Sequence, residues 1–132
     1  MSGGPEAVAL VRAFLEALEA RDLARAQTLL AENFLSIYPG DRQFRTLEEL
    51  IASGARWYRG VRKSYARTHY LAADAEGVET VILTGTLRGE WMNGDAFIGI
   101  RFIDSFRVKG GRIVEQQVWN DIGEARLRRA EI

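Results

Sequence analysis

The 132-residue sequence contains no cysteine, two prolines and one histidine. The lack of cysteine excludes a disulfide framework, a thiolate nucleophile and a cysteine-ligated metal, so no metal site is expected. Its 18 basic and 18 acidic side chains cancel. This balance argues against a nucleic-acid-binding surface or an acidic tail, either of which usually shifts the net charge. The sequence therefore predicts no nucleic-acid partner.

Long apolar segments are also missing. No run approaches the roughly 20 residues that a membrane-spanning helix needs. The N-terminal MSGGPEAV lacks the basic and apolar regions of a signal peptide. The length suits one domain with its own core. We therefore expect a soluble, cytoplasmic protein that forms one domain over residues 1–132 and has no membrane partner.

Helical patterns come first along the chain. Residues 5–20 repeat apolar side chains at three- and four-residue spacing, and Asp22 can cap a second helix. A capping box from Thr46 to Glu49 opens a third helix, which is predicted to carry Trp57 and Tyr58. The segment NFLSIYPGD, between the second and third helices, is predicted to be extended.

From residue 63 onward the period becomes two, as in strands. The turns DAEG, NG and KGG separate four predicted strands, at about 63–73, 78–90, 96–109 and 112–120. IGEARLRRA is predicted to form a closing helix. Helices followed by an antiparallel meander indicate an α+β domain, with the helices packed on one face of a strongly curved, mainly antiparallel sheet.

One carboxylate interrupts an apolar strand face. Alternate residues of IGIRFIDSFRV are Ile98, Ile100, Phe102, Asp104, Phe106 and Val108. Side chains alternate between the two faces of a strand, so Asp104 is predicted to lie in the interior. Burial should raise its pKa above the usual value of about 3.9. An acid that is neutral at pH 7 can donate a hydrogen bond to an oxyanion or act as a general acid.

A structural role for this acid is the alternative. Asp104 could be hydrogen-bonded to Tyr38, Tyr58 or Gln116, or it could be paired with an arginine. A buried arginine partner would lower the pKa of the carboxyl instead of raising it.

The order of elements and the ending FRVKGGRIVEQQVWND resemble the nuclear transport factor 2-like superfamily, over essentially the whole chain. The resemblance implies a cone-shaped sheet wrapped over helices, also called a cystatin-like roll. IDSFRV is similar to the segment that carries the oxyanion-hole aspartate of steroid delta-isomerases, whose position here is Asp104. RWY resembles their aromatic pair, which places Trp57 and Tyr58 at the pocket wall.

Other functional positions of the superfamily are occupied differently. The isomerase tyrosine falls on Phe14, and the isomerase base falls on Tyr38. The last-strand aspartate of SnoaL-like polyketide cyclases and limonene-epoxide hydrolases falls on Val118, and the dehydratase histidine falls on Ala66. The resemblance therefore implies a scaffold and one acid without deciding the activity.

Strand alternation in this register predicts a mostly apolar cavity with a few polar groups, which is typical of a small-molecule site. The predicted catalytic residues are Asp104, Tyr38 and Tyr58. The predicted ligand-binding residues are Phe14, Trp57, Ala66, Thr68, Tyr70, Leu83, Phe102, Phe106, Gln116, Val118 and Asn120.

Three functions remain open at this point. The first is a cofactor-independent isomerase, cyclase or dehydratase-type enzyme acting on a small apolar carbonyl or hydroxy compound. The second is a non-catalytic module that binds a small apolar or amphipathic molecule. The third is a dimeric association domain of the same fold.

The opposite face of the sheet is predicted to carry a different set of residues. Strand parity places Lys63, Tyr65 and His69 there, so the only histidine is expected outside the cavity. Ile103 and Trp119 stand among polar neighbours on the same face, which indicates that something covers them. Relatives commonly dimerise through this face, and a homodimer is expected.

Overall fold

Helices precede the long strands in the computed structural model, which describes residues 4–130. The first half comprises α1 (Gly4–Glu19), α2 (Leu23–Thr28), β1 (Leu30–Tyr38), β2 (Arg42–Phe44) and α3 (Leu47–Gly54). The second half comprises β3 (Tyr58–Leu71), β4 (Glu79–Trp91), β5 (Ala96–Lys109), β6 (Arg112–Asn120) and α4 (Ile122–Ala130). None of the helices in this part of the chain is long and apolar enough to span a membrane.

The six strands form one curved, open sheet in the order β2-β1-β6-β5-β4-β3. Only the β1–β6 pair is parallel, and the other neighbours are antiparallel. This confirms the predicted α+β class with a mainly antiparallel sheet. The short strand β2 was not predicted, because three residues are too few to show a period.

Helix α1 covers the concave side of the sheet, which we call the inner face. Val11 and Phe14 are fully buried on its apolar stripe. The Phe14 ring centroid lies 6.0 Å from that of Phe106 on β5 and 6.1 Å from that of Phe34 on β1. The hydrophobic core therefore lies between α1 and the inner face of the sheet.

The third helix is shorter than predicted. It ends at Gly54, and Trp57 lies in the following turn, where its N–H donates to the Gly54 carbonyl at 3.0 Å. Tyr58 opens β3 and folds back over Gly54, where a Cβ atom would lie only 2.8 Å from the Tyr58 hydroxyl oxygen. The prediction that Trp57 and Tyr58 belong to the helix is wrong because this reversal ends it.

A β-bulge at Ala66 corrects the predicted orientation of the first half of β3. Tyr65 pairs with Gly85 and Arg67 pairs with Thr84, so β3 has one extra residue at this point. A one-residue insertion exchanges the faces on which the preceding side chains lie. Lys63 stands opposite the buried Leu87 and therefore lies on the inner face, contrary to the prediction.

A second bulge removes Ile98 from the apolar face of β5. Leu87 pairs with Ile100 while Gly89 pairs with Phe97, which leaves an extra residue on β5. Gly99 supplies the required left-handed backbone with φ +76°. Phe97 is buried in place of Ile98, which is 83% exposed.

Candidate functional site

A cavity of about 470 Å³ opens between the inner face of the sheet and helices α1, α3 and α4. This volume is within the range of small-molecule sites. Its apolar wall includes Leu15, Leu18, Leu87, Phe102 and Val118, and its polar groups include Tyr38, Tyr58, Lys63, Asp104 and Asn120.

An ion pair lies on the inner wall of the cavity. The Lys63 Nζ atom is 2.6 Å from the Asp104 Oδ2 atom. Asp104 is fully buried, whereas the Lys63 side chain is 16% exposed. The ammonium also lies 5.0 Å from the centroid of the Phe102 ring, within the range of a cation–π contact. The bulge at Ala66 makes this pair possible, because it turns Lys63 toward β5.

The ion pair corrects the prediction that Asp104 is an isolated acid among apolar side chains. Asp104 is buried, as the strand pattern predicts, but its partner is a lysine that the same pattern places on the other face. Asp104 therefore accepts a charge-assisted hydrogen bond, so it is not the isolated neutral donor that the sequence suggested. Its second oxygen, Oδ1, is buried and has no hydrogen-bond partner within residues 4–130.

Lys63 is anchored at both its backbone and its side chain. Its backbone N–H donates to the Glu19 Oε1 atom at 2.7 Å, which ties β3 to the end of α1. Of its three ammonium N–H groups, one is used by Asp104. The other two make no hydrogen bond to any residue that the structure describes, so they are free to contact a ligand.

Two phenols line the same cavity, Tyr38 from the end of β1 and Tyr58 from the start of β3. Burial raises the pKa of Tyr38 well above its ordinary value, with smaller contributions from Tyr58 and Asp104. Burial likewise raises the pKa of Tyr58, while Arg21 and Arg42 lower it. Both hydroxyls therefore stay protonated at neutral pH and can donate hydrogen bonds. Within the described residues neither hydroxyl donates to another protein group.

Four of the predicted ligand-binding residues line the cavity: Trp57, Phe102, Val118 and Asn120. Four others lie behind the cavity wall in the core: Phe14, Leu83, Phe106 and Gln116. Gln116 is fully buried and accepts a hydrogen bond from the Ser36 hydroxyl at 3.0 Å. Phe14 lies on α1 and packs against Phe106 on β5, so this part of the inner face is filled by the core and not by the cavity.

The three predicted residues on β3 lie outside the cavity. Ala66 occupies the bulge and borders a shallow groove on the outer face. Thr68 is exposed, although its partner Leu83 is on the inner face. Tyr70 donates a hydrogen bond to the Glu79 carboxylate at 2.6 Å. The cavity lies toward the other end of β3, beyond the bulge.

Sequence reasoning missed Lys63 and three arginines, Arg21, Arg42 and Arg126, that also line the cavity. One signal for Lys63 was available, because an interior carboxylate requires a basic partner. Arg42 lies on the unpredicted strand β2 and Arg126 lies on α4, so their position depends on the tertiary fold. Residues 4–130 contain no group of three or more His, Cys, Asp or Glu side chains that could hold a metal ion.

Comparisons with known proteins identify the fold. A family model described as a SnoaL-like domain matches residues 11–116. An NTF2-like protein of unknown function from Burkholderia pseudomallei K96243 has a TM-score of 0.76 and 21% identity, with 95% of each chain covered. A candidate SnoaL-like polyketide cyclase from Jannaschia sp. CCS1 has a TM-score of 0.73 and 16% identity, covering 96% of this chain and 94% of that chain.

A third structure is a hypothetical protein with a ketosteroid isomerase-like fold from Catenulispora acidiphila DSM 44928, in complex with trimethylamine. Its TM-score is 0.67 at 14% identity, with 83% of each chain covered. No curated protein matches the chain. At these identities the solved structures establish the fold, and the predicted superfamily is confirmed.

Proposed function

The chain belongs to the SnoaL-like domain family, and we propose on this premise that its cavity binds a small, largely apolar carbonyl or hydroxy compound and moves a proton on it. The observation that carries the proposal is the Lys63–Asp104 pair on the cavity wall, in which one carboxylate oxygen has no protein partner. An unpartnered buried acceptor is costly unless a ligand supplies the missing donor.

The proposed step is proton abstraction from carbon next to a carbonyl group. Asp104 Oδ1 accepts the proton, the C–H bond breaks, and its electron pair moves into an enolate. Donors within the cavity then stabilise the negative oxygen, and these donors are the free N–H groups of Lys63 and the hydroxyls of Tyr38 and Tyr58. Where a C=C bond of the ligand is conjugated with the enolate, return of the proton from Asp104 to the far carbon gives an isomerisation. Attack by the enolate carbon on a second carbonyl of the ligand gives a cyclisation, and the alkoxide that forms takes the proton back from Asp104.

This assignment changes the role that the sequence suggested for Asp104. The Lys63 ammonium, 2.6 Å from Asp104 Oδ2, places a positive charge beside the carboxylate. Asp104 is therefore proposed as the general base, and the oxyanion donor is Lys63. In both reactions only a proton moves between Asp104 and the ligand, and the ligand undergoes no net oxidation or reduction, so the proposal requires no cofactor.

Deuterium exchange on a small ketone tests the proposal. 2-Tetralone in D₂O loses its α-proton NMR signals at a rate that a general base increases, typically by 10²–10⁴-fold for a positioned side chain. Wild-type protein should accelerate this exchange, and Asp104→Asn should reduce it to the buffer rate. The matched control is Asp121→Asn, because Asp121 pairs with Arg101 on the exposed side of the sheet. Equal exchange by wild type and Asp104→Asn would refute the assignment.

A non-catalytic binding module is the second candidate, and one observation favours it. Lys63 already occupies one oxygen of Asp104, so the pair is equally suited to orienting a bound hydroxyl group. In that case 2-tetralone or its alcohol, 2-tetralol, would bind with no exchange above the buffer rate, and Asp104→Asn would weaken binding of the alcohol.

We also propose that a second copy of the chain covers the outer face of the sheet. Thr84, Ile103 and Trp119 lie side by side across β4, β5 and β6. Ile103 is 46% exposed and Trp119 is 52% exposed. The row is continuous and apolar at its centre, and the third open function, a dimeric association domain, uses the same surface.

A further inference from the structure

Positive charge is concentrated around the cavity. Four basic side chains line it, Arg21, Arg42, Lys63 and Arg126, against two carboxylates, Glu19 and Asp104. The excess contrasts with the whole chain, in which 18 basic and 18 acidic residues balance. Both carboxylates are already engaged by Lys63, one by its backbone N–H and one by its ammonium. The Lys63–Asp104 pair is neutral overall, and Glu19 offsets one of the three arginines, so the lining keeps an excess of two positive charges that the arginines carry.

The three arginines are exposed residues that line the cavity, which places them at its mouth. We call Arg21, Arg42 and Arg126 the arginine rim. Within the described part of the chain, none of the three has a carboxylate within 4.0 Å. Other exposed arginines do find such partners, as Arg101 does with Asp121 at 2.7 Å. The rim therefore presents guanidinium groups that no side chain neutralises.

Each rim arginine is held in place by neutral contacts. Arg42 donates to the Pro39 carbonyl at 3.0 Å and to the Ser53 hydroxyl at 3.1 Å. The Arg126 guanidinium lies 3.4 Å above the Trp57 ring centroid. Arg21 donates to the Leu18 carbonyl at 2.5 Å. These contacts fix the positions of the guanidinium groups, which lowers the entropy cost of binding an anion. They leave the positive charge of the guanidinium groups uncompensated.

Arg21 also occupies a backbone position that favours glycine. Its φ is 57°, in the left-handed region. The Asp22 N–H donates to the Ala17 carbonyl at 2.8 Å and the Arg21 N–H donates to the Leu18 carbonyl at 3.1 Å, which is the Schellman pattern that ends α1. Glycine is the usual residue at this point because other side chains are strained there. An arginine at a strained position beside the cavity is best explained by its side chain.

We infer that the ligand of this cavity is an amphipathic anion, whose apolar body enters the cavity and whose carboxylate, or a similar anionic group, stays at the mouth against the arginine rim. The inference rests on the proposed function and specifies its ligand. The orientation follows from the charges, since the paired interior offers no net positive charge and the rim does. Arg21 and Arg42 also lower the pKa of Tyr38 and Tyr58, consistent with a positive potential at the mouth.

Binding of two probes that differ in charge tests the inference. 2-Naphthoate and 2-naphthamide have the same apolar body and differ in whether the head group is anionic or neutral. By isothermal titration calorimetry, wild type should bind the carboxylate about tenfold more tightly than the amide at low salt. The preference should shrink as the ionic strength is raised, since the rim is exposed.

Variants of the arginine rim test whether its charge, and not the shape of the cavity, causes the preference for the carboxylate. Arg21→Gln and Arg42→Gln should each reduce the preference several-fold, and the triple variant Arg21→Gln/Arg42→Gln/Arg126→Gln should abolish it while amide affinity stays unchanged. Arg25→Gln is the matched control, because Arg25 is exposed on α2 and does not line the cavity. Arg21→Gly should raise the thermal unfolding midpoint, by relieving the strain at φ 57°, and should still weaken binding of the carboxylate.

The outcomes distinguish this inference from the proposed function. Equal binding of the two probes to wild type would overturn the anionic ligand and leave the small-molecule cavity supported. A preference that survives in the Arg21→Gln/Arg42→Gln/Arg126→Gln triple variant would overturn the role of the rim. Failure of wild type to bind either probe would count against both proposals.

Discussion

Each face of the sheet carries residues in an unusual environment. The inner face has a buried charged side chain, and the outer face has exposed apolar side chains. On the inner face of β5, Asp104 is fully buried and paired with Lys63. One residue earlier on the outer face, Ile103 is 46% exposed, and its neighbour Trp119 on β6 is 52% exposed. A buried charge and an exposed tryptophan are both unfavourable in an isolated chain. This contrast supports the two proposals made above, a small molecule bound at the inner face and a second copy of the chain on the outer face.

Breaking the interior pair should give the largest effect on stability. Lys63→Met leaves a carboxylate with no exposed surface and no basic partner, which typically costs about 3–5 kcal/mol. Asp104→Leu leaves Lys63 unpaired, but that side chain is 16% exposed and can reach water, so its cost should be smaller, about 1–3 kcal/mol. Urea unfolding at pH 7 measures both values.

The double variant Lys63→Met/Asp104→Leu is the control for this prediction. Replacing a whole buried pair with apolar residues is often neutral or stabilising. The double variant should therefore be at least as stable as wild type, while deuterium exchange on 2-tetralone is lost. A double variant whose loss equals the sum of the two single losses would mean that Lys63 and Asp104 are not coupled.

A charge placed on the outer face should separate the proposed dimer. Trp119→Glu introduces carboxylates at the centre of the contact, with a second copy at the symmetry-related position, and like charges there repel. Sedimentation should show a wild-type dimer at micromolar concentration and a monomeric variant with unchanged circular dichroism. Wild-type protein that sediments as a monomer would refute the proposed dimer.

The accuracy of the sequence predictions changes at one residue of β3. Alternation counted back from the DAEG turn gives the correct face for His69 and Tyr70, which lie between that turn and the bulge. Beyond Ala66 the same counting assigns Lys63 to the wrong face, because the bulge inserts a residue that period-two counting does not detect. Ala66 has no property, such as a glycine's backbone freedom, that would mark a bulge in the sequence.

The sequence predicted those site residues whose position follows from alternation along a single strand. Asp104 stands out because one strand face is otherwise apolar, and Tyr38 was placed by its position in a single short strand. The arginine rim could not be found in this way, because Arg21, Arg42 and Arg126 come from a turn, an edge strand and the last helix. Only the folded chain brings these residues to one opening.

Partly buried phenols should make stability fall at high pH. Burial raises the pKa of Tyr38 well above its ordinary value and raises that of Tyr65 to about 12. In the unfolded chain these phenols ionise near pH 10, so above that pH the unfolded state binds fewer protons than the folded state. Folding stability should therefore decrease between pH 10 and 12.

Urea unfolding as a function of pH measures this decrease. Tyr38→Phe removes one ionising phenol and keeps the ring, so its stability should fall less steeply over the same interval. Ultraviolet absorbance should show that these phenols ionise above pH 10 in the folded protein. Ionisation of Tyr38 near pH 10 with the fold intact would contradict the rise in its pKa that burial is expected to cause.

The smallest effect is expected for the only histidine. His69 is exposed and pairs with Ile82 on the outer face, on the far side of the Ala66 bulge from Lys63. A side chain that neither lines the cavity nor contacts the ion pair has no direct means of changing proton transfer or anion binding. His69→Ala should leave the affinity for 2-naphthoate and the exchange rate of 2-tetralone within about twofold of wild type, a difference of roughly 0.4 kcal/mol. A loss of tenfold or more would mean that β3 is shifted by one residue in solution, since such a shift would bring His69 to the inner face and return Lys63 to the outer one.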